Sequence, residues 1–192
     1  PLYSSAASDV YKRQLLPWLT ASALLHTIVV ADKKKIFINW TIILSILTFI
    51  LSLLGTFLVR SGVLVSVHAF ANDPTRGVYI LLLLASISFF GIFKYINKNI
   101  QLRRSDISLI SREGMISLNN IFMLSLTFTI LVGTIYPLFA SVLFNSKISV
   151  GAPFFNSILM PVMFPFIAGM IIGPYTKWGK DCLLYTSDAA DE

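Results

Sequence analysis

Two histidines and one arginine are the residues of this chain best suited to metal or ligand chemistry. His26 lies within a long apolar run, and His68 lies in a loop among apolar residues. An ionisable side chain at membrane depth is costly and therefore indicates a function, and a neutral imidazole can ligate a metal. From the residues alone, His26 is either a ligand or a side chain that hydrogen-bonds a neighbouring helix. His68 is either a ligand or an interfacial residue without a partner.

The surroundings of these residues suggest the shape of a ligand. Side chains one helical turn from His26 are small or branched, which would leave room for a flat macrocycle against the helix. They are Ser22, Ala23, Val29 and Val30. Arg60 follows the second apolar run, and its guanidinium either reaches lipid headgroups or pairs with a ligand carboxylate.

The composition places these residues in a membrane protein. The chain has 192 residues, of which 56% are hydrophobic and 12% charged, about half the charged share of a soluble domain. Such a chain cannot cover a water-facing surface, which excludes a soluble enzyme and a disordered chain. The net charge of +6 is divided into short clusters between apolar runs, so we expect no nucleic-acid partner. The single cysteine excludes an internal disulfide.

Five apolar runs approach the length of about 20 residues that a spanning helix needs. They cover residues 15–31, 37–59, 78–93, 118–144 and 158–175. The sequence therefore predicts an all-α, polytopic transmembrane helical bundle with about five spans. Pro137 is expected to end or kink the fourth helix. Gly169 and Gly173 form a GxxxG pair, which favours close packing within the chain.

The basic residues predict the orientation of the bundle. Ten lie on one side of the spans and three on the other, so the richer side is assigned to the cytoplasm. This places the loops at 33–35 and 103–112 in the cytoplasm and the His68 loop in the periplasm. Ser111, Arg112 and Glu113 are interpreted as a solvated cytoplasmic loop or surface helix. The spans contain no Asp or Glu, which argues against a proton pump.

The two ends of the chain differ from its middle. Residues 1–14 and 181–192 are polar and resemble translated sequencing-adapter sequence. We interpret them as non-native and expect residues 15–180 to form the membrane region, as part of a longer protein.

Several strings, in order, resemble one protein family. They are LLPWLTASALLHT at 15–27, LSLLGTFLVRSGVLVSVHAFANDPTRG at 51–77, SREG at 111–114, GTIYPL at 133–138, KISVGAPFFN at 147–156 and GPYTKWGKD at 173–181. Together they resemble the CcmF-type haem lyase subunit of bacterial cytochrome c maturation. The related CcsBA-type and CcmC-type haem-handling proteins fit the last two strings less well.

The resemblance implies haem ligands. His26 corresponds to an intramembrane ligand of a structural b-type haem, and His68 to a periplasmic ligand of the haem being delivered. Arg60 is a further candidate for contact with a haem propionate. In the family, a tryptophan-rich periplasmic segment precedes the first of these strings, and the partner histidines lie elsewhere in the protein.

The resemblance also implies an activity and partners. The family receives haem from a haem chaperone and, with other maturation subunits, attaches it to apocytochrome c at the periplasmic face of the inner membrane. This stretch alone is expected to be inactive as a haem lyase. Two alternatives remain: a cofactor-free transporter or channel subunit, and a structural subunit that docks other membrane proteins.

Overall fold

The structure is a computed structural model that describes residues 2–60, 74–97, 107, 111–144 and 150–179. Over these residues it is all-helical. The helices are α1 (Leu2–Lys34), α2 (Ile38–Arg60), α3 (Pro74–Ile96), α4 (Arg112–Phe144) and α5 (Ala152–Ile172), followed by a short 3-10 turn at Gly173–Tyr175. All five are long and apolar enough to cross a membrane. The predicted fold class and the number of spans are confirmed.

Helix α1 is at the centre of the bundle. It packs against α2 on one side and α4 on the other, while α3 packs on α2 and α5 packs on α4. One core cluster joins α1 and α4 through Leu16, Leu19, Leu126 and Ile130. A second joins Ala23 of α1, Leu44 of α2 and Met123 of α4. Helix α1, which carries His26, therefore contributes to both clusters.

The helices extend beyond the apolar runs from which they were predicted. Helix α4 begins at Arg112, six residues before the predicted span, and α5 begins at Ala152, also six residues before it. Apolar character indicates membrane depth, whereas a helix continues as long as its backbone hydrogen bonds do. The Oγ of Ser111 accepts a hydrogen bond from the Gly114 backbone N–H (3.1 Å), which caps the start of α4. Pro153 at the start of α5 suits a first helical turn.

Of the two alternatives expected for Pro137, an end or a kink, the end is not found, because α4 continues to Phe144 as in the predicted span. A proline removes one backbone hydrogen bond, and in an apolar environment no water competes for the remaining bonds of the helix. Helices α1 and α5 likewise contain internal prolines. In this bundle, internal proline is therefore compatible with a continuous helix.

Candidate functional site

His26 is positioned near the middle of the α1 span, which covers Gln14–Lys34. At 1.5 Å per residue, its Cα lies about 12 Å along the helix from Lys34. The imidazole is partly buried, and its Nδ1 is fully buried without a hydrogen-bond partner. An unpaired buried nitrogen is costly. Within the described residues, the Nδ1 of His26 thus makes no hydrogen bond to a neighbouring helix.

A cavity of ≈ 230 Å³ adjoins His26. Its walls come from helices α4 and α5 and the turn after α5. They are formed by Arg112, Met115, Ile116, Asn119, Gly169, Met170, Gly173 and Pro174. The lining is mostly apolar, with an amide and a guanidinium as its polar groups. Met170 is 52% exposed, so this wall borders the outside of the described bundle.

The cavity is built differently from the sequence expectation. Small neighbours of His26 on α1 were expected to provide the space for a macrocycle. Instead, Ala23 is completely buried and packs with Leu44 and Met123 in the core. The space lies between α1 and the α4–α5 pair. Of the glycine pair, Gly169 serves close packing within the chain, since a Cβ there would collide with the Asn119 side chain, whereas the nearest atom to a Cβ on Gly173 is the Met115 Cβ at 4.0 Å.

The side chain of Arg112 is held at one end of this cavity. Its backbone N–H donates to the Lys177 carbonyl (2.9 Å), and its guanidinium carbon lies 5.4 Å from the ring centre of Trp178. Lys33 approaches the same ring at 5.1 Å. These cation–π contacts place a permanent positive charge where a ligand carboxylate could be bound. No carboxylate of the described residues forms a salt bridge with Arg112.

The neighbouring acid is already paired. Glu113 accepts a hydrogen bond from the Gly179 backbone N–H (3.1 Å) and lies 3.5 Å from the Nζ of Lys34. Both Ser111 and Glu113 are buried, so their interpretation as a solvated segment is wrong. The physical reason is that the ends of α1 and α4 and the segment after α5 cover them. The predicted grouping of basic residues at one end holds for Lys33, Lys34, Arg112 and Lys177.

The residues present fit one edge of a flat iron-bound macrocycle. His26 offers a single axial nitrogen, and no three His, Cys, Asp or Glu side chains come together within the described residues. A volume of ≈ 230 Å³ is below the roughly 300–1,000 Å³ of most ligand pockets. The cavity as described is therefore large enough for only part of a porphyrin.

Two predicted site residues cannot be placed against this cavity. His68 lies outside the described residues, and so does the side chain of Arg60, the last residue of α2. Sequence reasoning missed Arg112 and Asn119 as lining residues. A signal for Asn119 was present, since two adjacent asparagines at 119–120 interrupt an apolar run, and buried amides in a membrane helix need partners.

Comparisons with known proteins agree with the resemblance. The model of the family described as "Cytochrome C assembly protein" matches residues 9–65. The CcmF protein of Haemophilus influenzae is 45% identical over 173 residues, or 90% of this chain and 27% of the relative. CycK of Rhizobium meliloti is 47% identical over 89% of this chain and 25% of that protein. Both are cytochrome c-type biogenesis proteins by name.

A solved structure shares the fold. The structure named "Cytochrome c Heme Lyase CcmF" matches 93% of this chain and 25% of its own length, with a TM-score of 0.66 at 24% identity. The chain thus spans about a quarter of the length of the relatives that it matches. With its five membrane-spanning helices and this similarity, the chain belongs to the CcmF family of cytochrome c-type biogenesis membrane proteins.

Proposed function

We propose that this segment binds haem at membrane depth through His26 and that the full-length protein takes part in transferring haem to apocytochrome c. The observation that carries the proposal is the buried, unpartnered Nδ1 of an imidazole beside an apolar cavity. A histidine at this depth without a polar partner would otherwise be a net cost to the fold. Membership of a cytochrome c biogenesis family supports haem as the ligand.

The chain's own residues would each contribute one function at this site. His26 would hold the iron through an imidazole nitrogen. Met115, Ile116 and Met170 would exclude water from the ring. Arg112 would bind a propionate at the basic end, a role for which the sequence had offered Arg60 as a candidate. When bound at this intramembrane site, a b-type haem supplies a one-electron carrier.

His68 is proposed as a ligand of transiently bound haem on the periplasmic side. There it would help to position haem for reaction with the thiols of an apocytochrome c. A haem chaperone would supply this haem, and other maturation subunits would assemble around the protein. In this arrangement the basic end of the bundle faces the cytoplasm, and the bilayer is the inner membrane.

A maturation assay tests this function. The full-length protein with His68→Ala is expressed in cells that lack their own copy, and covalently bound haem on a reporter cytochrome is measured. We expect less than about a tenth of the wild-type amount of holocytochrome. The reason is that loss of a group that positions a reactant commonly lowers the rate of reaction by more than tenfold. Haem that copurifies with the His68→Ala protein should remain, because His26 is unchanged.

Two outcomes favour the rival functions. Normal maturation in both the His26→Ala and His68→Ala proteins, with a colourless wild type, favours a cofactor-free transporter or channel subunit. Normal maturation in both histidine variants, together with failure of variants on exposed helix faces, favours a structural docking subunit. Phe89 and Phe90 on α3 are suitable positions for the variants that test a docking subunit, since both side chains are about two-thirds exposed (65% and 63%).

A further inference from the structure

Two residues that line the same cavity each carry a buried polar atom that hydrogen-bonds no described residue. The two atoms are the Nδ1 of His26 on α1 and the Oδ1 of Asn119 on α4. Asn119 is 8% exposed, so its amide oxygen cannot rely on bulk water. Each atom alone would carry the full cost of an unsatisfied buried polar group. Their shared position indicates one cause for both.

The two atoms are complementary. A neutral imidazole carries its proton on one ring nitrogen and presents a lone pair on the other, whereas an amide oxygen only accepts. His26 makes no hydrogen bond to a described residue, and Nδ1 is the ring nitrogen found fully buried. A ligand entering the cavity therefore reaches Nε2, which leaves the proton on Nδ1 in need of an acceptor.

A neighbouring hydrogen bond indicates the relative depth of the two residues. Asn120 Nδ2 donates to Thr27 Oγ1 at 2.8 Å, and this bond joins α4 to α1. His26 and Asn119 each precede one of these partners by one residue. Because α1 and α4 are antiparallel, the two residues lie about 3 Å apart along the α1–α4 contact at 1.5 Å per residue, and both line the larger cavity.

Gly169 keeps room for the amide of Asn119. A Cβ on Gly169 would overlap the Asn119 oxygen. Because Gly169 has no side chain, the oxygen can occupy the space where that Cβ would lie. Substituting Gly169 would force the amide to turn. The orientation of Asn119 is thus determined by α5 as well as by its own helix.

We propose that Asn119 is a positioning residue that accepts the Nδ1–H hydrogen bond of His26, directly or through one water, while Nε2 ligates the iron. This inference rests on the proposed haem site. Metal-bound imidazoles commonly donate their second N–H to such an acceptor, which fixes the tautomer and makes the ligand more basic. A more basic ligand favours ferric over ferrous iron, so removing the acceptor raises the reduction potential.

The test is a redox titration of the haem in the purified full-length protein, followed by its absorption spectrum. Asn119→Leu removes the acceptor at similar size. We expect the preference for ferric over ferrous haem to fall about tenfold, which is an upward shift of about 59 mV for one electron. Asn119→Asp keeps an oxygen acceptor in place and should give a potential at or below that of the wild type. Gly169→Ala should shift the potential in the same direction as Asn119→Leu.

Asn120→Leu is the matched control. Asn120 is the adjacent amide, but it lines a different cavity, of ≈ 80 Å³, beside Thr27 and Leu44. Its substitution should leave the potential unchanged. The inference is overturned if the reduction potential of Asn119→Leu equals that of the wild type. It is also overturned if Asn119→Leu and Asn119→Asp both raise the potential, or if both lose haem.

Failure of the proposed function gives a different result. A wild-type protein without a Soret band, or a band unaffected by His26→Ala, overturns the haem site and this inference with it. A band that depends on His26 but is insensitive to Asn119 overturns the inference alone.

Discussion

Lys34 Nζ lies 3.5 Å from Glu113 Oε1, and this ion pair joins the last turn of α1 to the first turn of α4. The side chain of Glu113 is 6% exposed and that of Lys34 is 39% exposed. The carboxylate also accepts the Gly179 backbone N–H, so it connects three segments that are far apart in sequence. Its place at the start of α4 is further favoured by the helix dipole. These contacts hold the end of the bundle that borders the His26 cavity.

Glu113→Gln should lower the free energy of unfolding by about 1–3 kcal/mol, because a buried charged acceptor is lost from Lys34 and Gly179. Reversible unfolding in mixed micelles measures the change. Lys35→Gln is the control, since Lys35 pairs with Asp32 at 3.6 Å with both side chains largely exposed. That pair should contribute about 0–1 kcal/mol. If the two variants lowered the free energy of unfolding equally, the larger stabilising role given to Glu113 would be contradicted.

Gly133→Ala should destabilise the contact between α4 and α5. A Cβ there would lie 2.6 Å from Cζ and 2.8 Å from Cε1 of Phe155, whose side chain is buried. Overpacking of this kind costs about 1–3 kcal/mol, which should appear as a lower midpoint of thermal unfolding in detergent. Gly173→Ala is the comparison, because the nearest atom to its Cβ is the Met115 Cβ at 4.0 Å. If the Gly133→Ala protein were as stable as the Gly173→Ala protein, the close contact between Gly133 on α4 and Phe155 on α5 would be contradicted.

The hydrogen bond between Asn120 and Thr27 can be measured by a double-mutant cycle. Asn120→Leu and Thr27→Val are made separately and together, and unfolding is followed in mixed micelles. We expect a coupling energy near 0.6 kcal/mol and no more than about 1.7 kcal/mol, as for other hydrogen bonds between membrane helices. A coupling energy of zero would mean that the 2.8 Å contact does not stabilise the packing of α1 against α4.

The proposed orientation predicts which side of the membrane each end faces. In a Cys182→Ser background, Lys35→Cys lies at the basic end and Gly151→Cys at the opposite end of the bundle, and both positions are exposed. A membrane-impermeant maleimide should label position 151 in intact spheroplasts and position 35 only after permeabilisation. The reverse pattern would place the basic end in the periplasm.

The sequence predicts the five helices because each contains an apolar run near the length of a bilayer span. It does not predict where those helices begin. Ser111 and Glu113 are polar and were therefore assigned to a solvated segment, although they are buried at the start of α4. Their burial depends on Lys34 and Gly179, which are distant in sequence, and hydropathy contains no information about such contacts.

The candidate site was only partly predictable for a similar reason. His26 stood out as an ionisable residue in an apolar run, and the structure leaves its Nδ1 without a partner. The walls of its cavity come from Asn119 and Gly169 on other helices. Which of two adjacent asparagines faces the histidine depends on the rotation of α4 about its axis, and only the packed helices determine that rotation.

The central claim is that His26 ligates haem within the membrane. Its most direct test is the haem content and Soret absorption of the purified full-length protein, with and without His26→Ala, at equal protein concentration. Retention of the α1 packing should be checked by thermal unfolding, with Asn120→Leu as the control variant. We expect a Soret band in the wild type and in Asn120→Leu, and at least a tenfold loss of bound haem in His26→Ala. Equal haem content in the wild type and in a folded His26→Ala protein would contradict the claim.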